Sequence, residues 1–419
     1  MPWLVASSGW VARGLGVLSR LLIMIWFLDY LGEDSYAVFA VLLSLEGWLM
    51  LTDFGLGSSA QNQVSVATAK QQLEKAALVP IAQLSILTFL SSLLFISLLF
   101  PWIHAFLNKN TTCGKAGLLL AVLGYCLLAL GSIAYRILYA KNRGVLVHII
   151  QGAAFCLTII TAFLLKHFYF GEYRLFLALI TVIVIPCVFS LATFFKIFGV
   201  KFLKEYWDWE AIQALVTPAL KFFIFGLSAI AVLGIDYIAL ARYTDSKTIV
   251  LYHIMSKLFS GFFVMHGSFM QAIWPVCSEN IAKGNTEKVA KILKKCCLYG
   301  ILFISSVTCF LLLGSSTLCS LFFSKPLSLP IEGILLLGLY YIIRTLCDPY
   351  AMVLQSMNRL TPLLIGVPCQ ALVAIIFQIY LVQFYGLYGV IIGLICSYLC
   401  TVSWLLPFCV YRRTLFHRK

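Results

Sequence analysis

Long apolar stretches separated by short polar connections run along the whole chain. About twelve of these stretches are long enough to cross a membrane as helices, which takes about 20 mostly apolar residues each. The predicted spans are residues 4–31, 35–62, 78–107, 116–140, 145–168, 172–196, 213–242, 246–281, 290–323, 330–357, 361–384 and 387–411. The connections between them are too short to fold into a soluble domain. The pattern therefore predicts an all-α integral membrane protein.

One segment interrupts this apolar pattern. Residues 49–65, LMLTDFGLGSSAQNQVS, place Asp53 and an amide cluster beside a hydrophobic run. The Asp-Phe-Gly triplet occurs in protein kinases, but there it works with a Gly-rich loop, a strand lysine and an HRD loop that this sequence lacks. The glycines and serines after Asp53 are small enough to let helices approach closely. We therefore expect close helix packing here.

Composition agrees with a membrane protein. Hydrophobic residues make up 62% of the chain and charged residues 11%, against about 45–50% and about 25% in soluble domains. The first residues have no basic region followed by a short apolar run and a cleavage site, so they are interpreted as the start of the first span. The 14 cysteines lie mostly in apolar runs without metal-ligand spacing, which predicts neither a disulfide nor a metal site.

Lysine and arginine are concentrated in one set of connections and at the C-terminus. Because cytoplasmic connections of membrane proteins are enriched in these residues, both termini are predicted to be cytoplasmic. This bias accounts for much of the formal charge of +14, so the charge does not indicate nucleic-acid binding. The basic segment 288–295, KVAKILKK, is expected to meet anionic lipid headgroups.

Two sequence matches indicate an internal repeat. The segment AKQQLEKAA at 69–77 resembles AKGNTEKVA at 282–290, and LYAKNRG at 138–144 resembles LQSMNRL at 354–360. The two pairs are separated by 213 and 216 residues, each close to half of the 419-residue chain. Six spans per half give both halves the same orientation, so the repeat is parallel, as in transporters that rock about a central site. The predicted bundles are residues 1–204 and 205–419.

Charged residues inside the predicted spans are the candidate functional groups. A charge at the middle of a bilayer costs about 2.5–3.5 kcal/mol on insertion scales, so it usually faces a cavity, finds a partner or lies near an interface. The candidate substrate-binding cations are Arg20, Lys221, Lys257 and Arg344. The candidate coupling or pairing carboxylates are Asp53, Asp236 and Asp348. Two structural alternatives stay open: Lys221 can extend to the headgroups, and Arg344 and Asp348, four residues apart, can neutralise each other.

The surplus of basic over acidic groups within the predicted spans suits a cavity for an anionic substrate.

Four segments of the sequence carry a resemblance to a known family. They are SYAVFAVLLSLEGWLMLTDFGLGSSAQNQVS at 35–65, IAYRILYAKNRG at 133–144, QAIWPVCSENIAKG at 271–284 and IIRTLCDPYAMVLQSMNRL at 342–360. Together they resemble Wzx-type O-antigen flippases, which belong to the multidrug/oligosaccharidyl-lipid/polysaccharide exporter superfamily. The resemblance covers essentially the whole chain.

The resemblance implies a fold and a substrate. The fold is two six-helix bundles around a central cationic cavity. The implied activity is alternating-access translocation of undecaprenyl-pyrophosphate-linked O-antigen repeat units, for lipopolysaccharide biosynthesis, from the cytoplasmic to the periplasmic leaflet of a bacterial inner membrane. An O-antigen polymerase and a chain-length regulator are implied as protein partners. Arginine binds pyrophosphate oxygens in a bidentate manner, so the candidate cations fit this substrate.

The absence of a nucleotide-binding phosphate loop from the sequence argues against direct ATP hydrolysis. A transporter rather than an enzyme is predicted, without catalytic residues or a bound cofactor. Coupling to a proton or sodium gradient through Asp53, Asp236 or Asp348 is a further expectation. Other exporters of the superfamily, carrying lipid-linked capsule or exopolysaccharide units or drugs, are the alternatives. A drug antiporter predicts a net acidic interior, and a membrane O-antigen polymerase predicts a large periplasmic loop; the sequence has neither.

Overall fold

The computed structural model describes residues 2–69, 74–107, 115–141, 143–169, 171–199, 208–322, 328–357, 359 and 361–414, and these are almost entirely helical. The helices are α1 (Pro2–Leu31), α2 (Glu33–Met50), α3 (Leu56–Ala69), α4 (Glu74–Leu107), α5 (Lys115–Ala140), α6 (Gly144–Phe168), α7 (Arg174–Leu179), α8 (Ile185–Phe198), α9 (Trp209–Tyr243), α10 (Ser246–Ala282), α11 (Thr286–Phe322), α12 (Ile331–Ser356), α13 (Thr361–Cys400) and α14 (Val402–Thr414). Two short segments of other helical type, Leu51–Asp53 (3-10) and Ile180–Val184 (π), connect α2 to α3 and α7 to α8.

The number of membrane-spanning helices agrees with the sequence prediction. Within the described residues, ten stretches are long and apolar enough to cross a membrane. The longest, Thr361–Arg412, holds two spans, because the backbone changes direction at Gly386 (φ +52°). The 26-residue helix α12 is not among the ten, but it is also long enough to cross a membrane and carries only three charged side chains. Together these give twelve spans, and the predicted all-α membrane fold is confirmed.

The chain forms two compact units, residues Met1–Ile230 (unit 1) and Ala231–Lys419 (unit 2). The division falls within α9, after most of its length. The predicted boundary between residues 204 and 205 lies in a segment outside the described residues and stays a prediction.

Helix neighbours within each unit follow the same order, as a parallel repeat requires. In unit 1 the fourth span, α5, packs against α3, α4 and α8, which complete the second, third and sixth spans. In unit 2 the tenth span, α12, packs against α10, α11 and α14, at the same three places in the order. Small side chains allow the closest approaches: a Cβ added at Gly131 of α5 or at Gly338 of α12 would collide with Ser190 or Thr308.

The predicted second span, residues 35–62, is not one helix, which corrects the sequence prediction. The α-helix ends at Met50, and Phe54 (φ +48°) and Gly55 (φ +75°) take left-handed backbone conformations before α3 begins. A Cβ on Gly55 would collide with the backbone of Ala219 and Phe223 in α9. Glycine is needed here for both the conformation and the close approach, so the expected close packing is present, but at a break between helices.

Candidate functional site

Asp53 lies at this break and holds the start of α3. Its Oδ1 accepts the backbone N–H of Gly55 at 2.8 Å, and its Oδ2 accepts that of Gly57 at 3.2 Å. The first N–H groups of a helix have no partner within the helix, and a carboxylate satisfies them well. Arg136 of α5 lies nearby and interacts electrostatically with the same carboxylate. The arrangement therefore gives Asp53 a structural role at a helix start.

Unit 1 contains an open cavity of about 270 Å³ between α1, α2, α5, α6 and the α7–α8 span. Its polar wall includes a cation, a carboxylate, a hydroxyl and an amide, and its apolar wall includes aromatic rings. The lining residues include Arg20, Glu46, Tyr125, Ser132, Gln151 and Phe155. Ligand pockets for whole small molecules are typically about 300–1,000 Å³, so this cavity fits only part of a large ligand.

Arg20 is the only predicted cation among the described residues that line this cavity. Its side chain is exposed, and no described carboxylate lies within ion-pair distance of it. Glu46, on the adjacent helix α2, and Arg20 both act electrostatically on the buried hydroxyl of Tyr125. The cavity therefore offers donors and acceptors beside aromatic faces, which suits a polar, hydroxyl-rich ligand.

Lys221 does not line this cavity. It lies on α9 with an exposed side chain. Its neighbours Phe222 and Ile224 are also exposed, at 38% and 54%. This exposed position fits the alternative in which Lys221 extends to the lipid headgroups.

In unit 2, Asp236 lies in a buried hydrogen-bonded cluster between α9 and α10. Its side chain is 5% exposed. The Tyr252 hydroxyl donates to Oδ2 at 2.5 Å, and the backbone N–H of Tyr237 donates to Oδ1 at 2.8 Å. Tyr237 extends the cluster, since its hydroxyl lies 3.1 Å from Nδ1 of His253. Buried carboxylates need such donors because an unpaired charge in the interior is costly.

Lys257 lies one helical turn beyond His253 on α10 and is half-buried. It interacts electrostatically with both Asp236 and His253. A cation that faces a buried carboxylate offsets part of the cost of burying both groups. The structure thus brings Lys257 and Asp236, which were predicted separately, into one cluster.

Arg344 and Asp348 are in contact on α12, with Arg344 Nε 3.9 Å from Asp348 Oδ2. The distance is that of an ion pair, but it is too long for a hydrogen bond, and Arg344 Nε is buried without a hydrogen-bond acceptor. The guanidinium lies over the Phe263 ring, with Cζ 4.2 Å from the ring centroid. A cation over an aromatic face is attracted by the ring quadrupole. The group is therefore held in place while a donor stays unsatisfied.

One tyrosine lies between the Asp236 cluster of unit 2 and the ion pair on α12. Tyr341 stacks on Phe259, with ring centroids 5.5 Å apart and an interplanar angle of 7°, and it packs against Phe263 at 5.2 Å. It interacts electrostatically with both Asp236 and Arg344. The four site residues predicted in unit 2 therefore belong to one polar cluster lined by aromatic rings, in which Asp236 is buried and the other three are half-buried.

Several members of these sites were not among the predicted site residues. Tyr252 is a hydrogen-bond partner of Asp236 and His253 is one of Tyr237, and their spacing in the sequence gives no signal for either contact. Glu46 and Gln151 line the unit 1 cavity, and Glu46 was detectable as a charge within a predicted span. His266 is buried, with Nε2 lacking a partner, and an added Cβ on Gly300 would lie 3.1 Å from its ring.

Solved structures with the same arrangement of helices are transporters. The chain is 13% identical to a multidrug resistance MATE family transporter of the MOP superfamily in an inward-facing conformation, with a TM-score of 0.81 over 95% of this chain and 94% of that one. It is 17% identical to the lipid II flippase MurJ in an inward closed conformation, with a TM-score of 0.75 over 97% of this chain and 87% of that one. The chain therefore has the MOP-superfamily fold of twelve helices in two bundles.

Relatives that match nearly the full length of the chain show which family of transporters it belongs to. The chain is 32% identical over 418 residues to the "Putative O-antigen export protein" of Yersinia pseudotuberculosis, covering 97% of this chain and 94% of the relative. It is 30% identical over 415 residues to the "Putative O-antigen transporter" of Salmonella typhi, covering 96% and 94%. No protein-family model matches the chain. The chain belongs to the O-antigen transporter family, as its resemblance to Wzx-type flippases predicted, and it is a multi-pass membrane protein.

Proposed function

We propose that this protein is a flippase that moves undecaprenyl-pyrophosphate-linked O-antigen repeat units across the bacterial inner membrane by alternating access. The observation that carries the proposal is the unsatisfied Nε of Arg344 in unit 2. A buried donor without an acceptor costs about 1–3 kcal/mol, and a pyrophosphate oxygen would satisfy it. The names of the full-length relatives support an O-antigen cargo.

The proposed route separates the parts of the substrate. The pyrophosphate binds at Arg344 and Lys257 in unit 2, and the unit 1 cavity beside Arg20 is a separate site for sugar groups of the cargo. Sugar hydroxyls match the donors and acceptors of that cavity, and sugar faces pack on its aromatic rings. The undecaprenyl chain remains in the bilayer. With both termini cytoplasmic, movement is from the cytoplasmic to the periplasmic leaflet, where an O-antigen polymerase and a chain-length regulator act on the product.

We further infer that Asp236 couples transport to a proton or sodium gradient. Among the three predicted carboxylates, Asp53 is occupied by the start of α3 and Asp348 faces Arg344, whereas Asp236 contacts a tyrosine hydroxyl and lies near Lys257. Neutralising Asp236 would free Lys257 to bind the pyrophosphate. Asp236→Asn should therefore abolish the response to an imposed gradient, while Tyr252→Phe, which removes only one donor, should retain it at a reduced rate.

The function is tested by deleting the gene in its host and locating the lipid-linked oligosaccharide. A flippase predicts loss of surface O-antigen and accumulation of single repeat units that a membrane-impermeant reagent reaches only from the cytoplasmic side. Restoring the wild-type chain should reverse both effects, and Arg344→Ala should reverse neither. Accumulation on the periplasmic side would instead place the protein after translocation and contradict the proposal.

A further inference from the structure

A second cavity lies in unit 2, away from the tyrosine cluster around Asp236. It has a volume of about 390 Å³ and is bounded by the end of α12, the start of α13 and the last turns of α14. Its lining residues include Leu354, Arg359, Thr361, Pro362, Phe408 and Arg412. Two arginines in one small cavity indicate a site for an anion.

The local backbone explains how both arginines reach this cavity. After α12 ends, the backbone N–H of Arg359 donates to the carbonyl of Leu354 at 2.9 Å, and this closes the helix end and brings Arg359 over it. Arg412 extends from the last turns of α14, with Cζ 5.6 Å from the Phe408 ring centroid. Both positions are therefore set by hydrogen bonding and ring contact.

The cavity combines positive charge with free hydrogen-bond donors. Within the described residues, neither Arg359 nor Arg412 has a carboxylate within ion-pair distance. Helix α13 begins at Thr361, so its first N–H groups and the exposed Thr361 hydroxyl lie at the same place. Guanidinium groups match phosphate oxygens in geometry, and the start of a helix favours negative charge. A phosphate group is the ligand that this combination fits.

The surface around the cavity indicates that the phosphate belongs to a lipid. Exposed apolar side chains continue from it along two helices: Leu364 and Ile365 on α13 are 43% and 58% exposed, and Trp404 and Phe408 on α14 are 58% and 54% exposed. Deeper between the helices the space closes, because a Cβ on Gly366 would lie 2.9 Å from Leu405. A headgroup can therefore enter the cavity only at its mouth, with acyl chains lying over the exposed apolar surface.

We propose that this cavity binds the phosphate headgroup of an anionic membrane phospholipid through Arg359, Arg412 and the start of α13. Basic pockets between membrane helices are known to take such headgroups. The bound lipid would hold together the ends of α12 and α14. Since α12 carries Arg344 and Asp348, lipid composition would influence the helix that bears the proposed substrate cation. The site itself does not depend on which cargo the protein moves.

The test is native mass spectrometry of the purified full-length chain, titrated with phosphatidylglycerol or with phosphatidylcholine of the same acyl chains. We expect one phosphatidylglycerol to be retained in preference to phosphatidylcholine. The variant R359Q/R412Q should lower the apparent affinity for it about tenfold or more, since two charge-assisted contacts are lost. The matched control K294Q/K295Q removes two exposed charges from α11 and should change the affinity less than about twofold.

An additional variant and a second ligand distinguish the possible outcomes of this binding experiment. R359K/R412K keeps the charge but loses the guanidinium geometry, so its affinity should lie between those of the wild type and R359Q/R412Q, which distinguishes lost charge from lost fold. An affinity loss in R359K/R412K as large as in R359Q/R412Q would overturn the electrostatic assignment. Equal retention of both lipids, or an equal loss in K294Q/K295Q, would show only diffuse attraction and overturn the site. Inorganic phosphate that binds as tightly as phosphatidylglycerol would overturn the lipid assignment. All of these measurements leave the proposed transport function untouched.

Discussion

In unit 1, Arg20 and Glu46 face an open cavity, whereas in unit 2 Asp236, Lys257 and Arg344 lie among tyrosines within a packed cluster. Both units use the same order of helix neighbours around their fourth span. The difference between the two sites therefore does not come from the arrangement of the helices. It comes from the side chains that each half carries on those helices.

This contrast indicates different uses for the two halves. Charges at an open cavity keep their water until a ligand replaces it, so they can contact variable groups such as sugars. Buried charges are held by fixed partners, and each change in their protonation or ligation alters the energy of the whole cluster. Recognition of the glycan in unit 1 and recognition of charge in unit 2 follow from this difference.

The largest expected effect is at Arg344, in the buried cluster of unit 2. Arg344→Ala leaves Asp348 without its cation, which should lower stability by about 3 kcal/mol, at the low end for a buried pair because the side chains remain 22% and 38% exposed. Transport should fall roughly 100-fold, since the substrate also loses a charged donor. Membrane protein level and surface O-antigen measure the two effects separately.

The double variant Arg344→Ala with Asp348→Ala sharpens this prediction. Removing both charges should restore protein level, because no unpaired carboxylate remains, but it should not restore surface O-antigen. If activity returns together with protein level, the pair is only structural, and the proposed substrate role of Arg344 is wrong.

The next largest effect is a loss of stability, predicted from a comparison of the second spans of the two halves. Gly55→Ala in unit 1 forces an alanine into a left-handed conformation against the backbone of α9, which should cost about 2–4 kcal/mol in unfolding free energy. The matched control is Gly267→Ala in the unbroken helix α10 of unit 2, where an added Cβ meets nothing within 4 Å. That change should be neutral or stabilising by about 0.5–1 kcal/mol. Thermal unfolding of both variants gives the comparison, and equal losses would contradict it.

A smaller effect is expected at the open cavity of unit 1. Arg20→Gln should reduce transport about tenfold, because one exposed charged donor is worth less than a buried one. Lys221→Gln, outside the cavity lining, should reduce transport less than about threefold. Surface O-antigen at matched protein levels measures both. A larger loss for Lys221 than for Arg20 would mean that the unit 1 cavity is not where the glycan binds.

The smallest effect lies at the start of α10. Asp245 Oδ1 accepts the backbone N–H of Thr248 at 3.0 Å, whereas Gly32, which is 213 residues earlier and immediately precedes α2, provides no side-chain cap. Asp245→Ala should lower the free energy of unfolding by about 0.5–1 kcal/mol without affecting transport.

Hydrogen bonds from Thr248 hold the pKa of Asp245 below its ordinary value of 3.8. The cap therefore contributes fully above that value and is lost as the pH falls through the lower folded pKa. Stability of Asp245→Ala and wild type should converge at acidic pH; a constant difference would exclude this cause.

Much of the fold could be predicted from the sequence, because apolar length is a direct requirement of the bilayer. The twelve spans follow from apolar length, the parallel repeat from sequence matches 213 and 216 residues apart, and the contact between Arg344 and Asp348 from their spacing of four. The break at Phe54 and Gly55 was missed, since small residues after Asp53 fit close packing of an unbroken helix equally well. Only the approach of α9 distinguishes the two.

The candidate sites were less predictable. A charge in an apolar segment shows that a partner is needed but not which one. Tyr252 and His253 were not identified because their contacts with Asp236 and Tyr237 depend on the packing of α9 against α10. Lys221 and Lys257 look alike in the sequence, yet one is exposed and the other faces a buried carboxylate.

Translocation by the purified protein in liposomes tests the proposed function most directly. The substrate is the host's undecaprenyl-pyrophosphate-linked repeat unit, labelled on its glycan and supplied in the outer leaflet, and the signal is the label that becomes protected from a membrane-impermeant quencher. We predict that wild-type protein protects label over time and that Arg344→Ala does so about 100-fold more slowly. Wild-type vesicles that protect no more label than protein-free vesicles would contradict the proposed function.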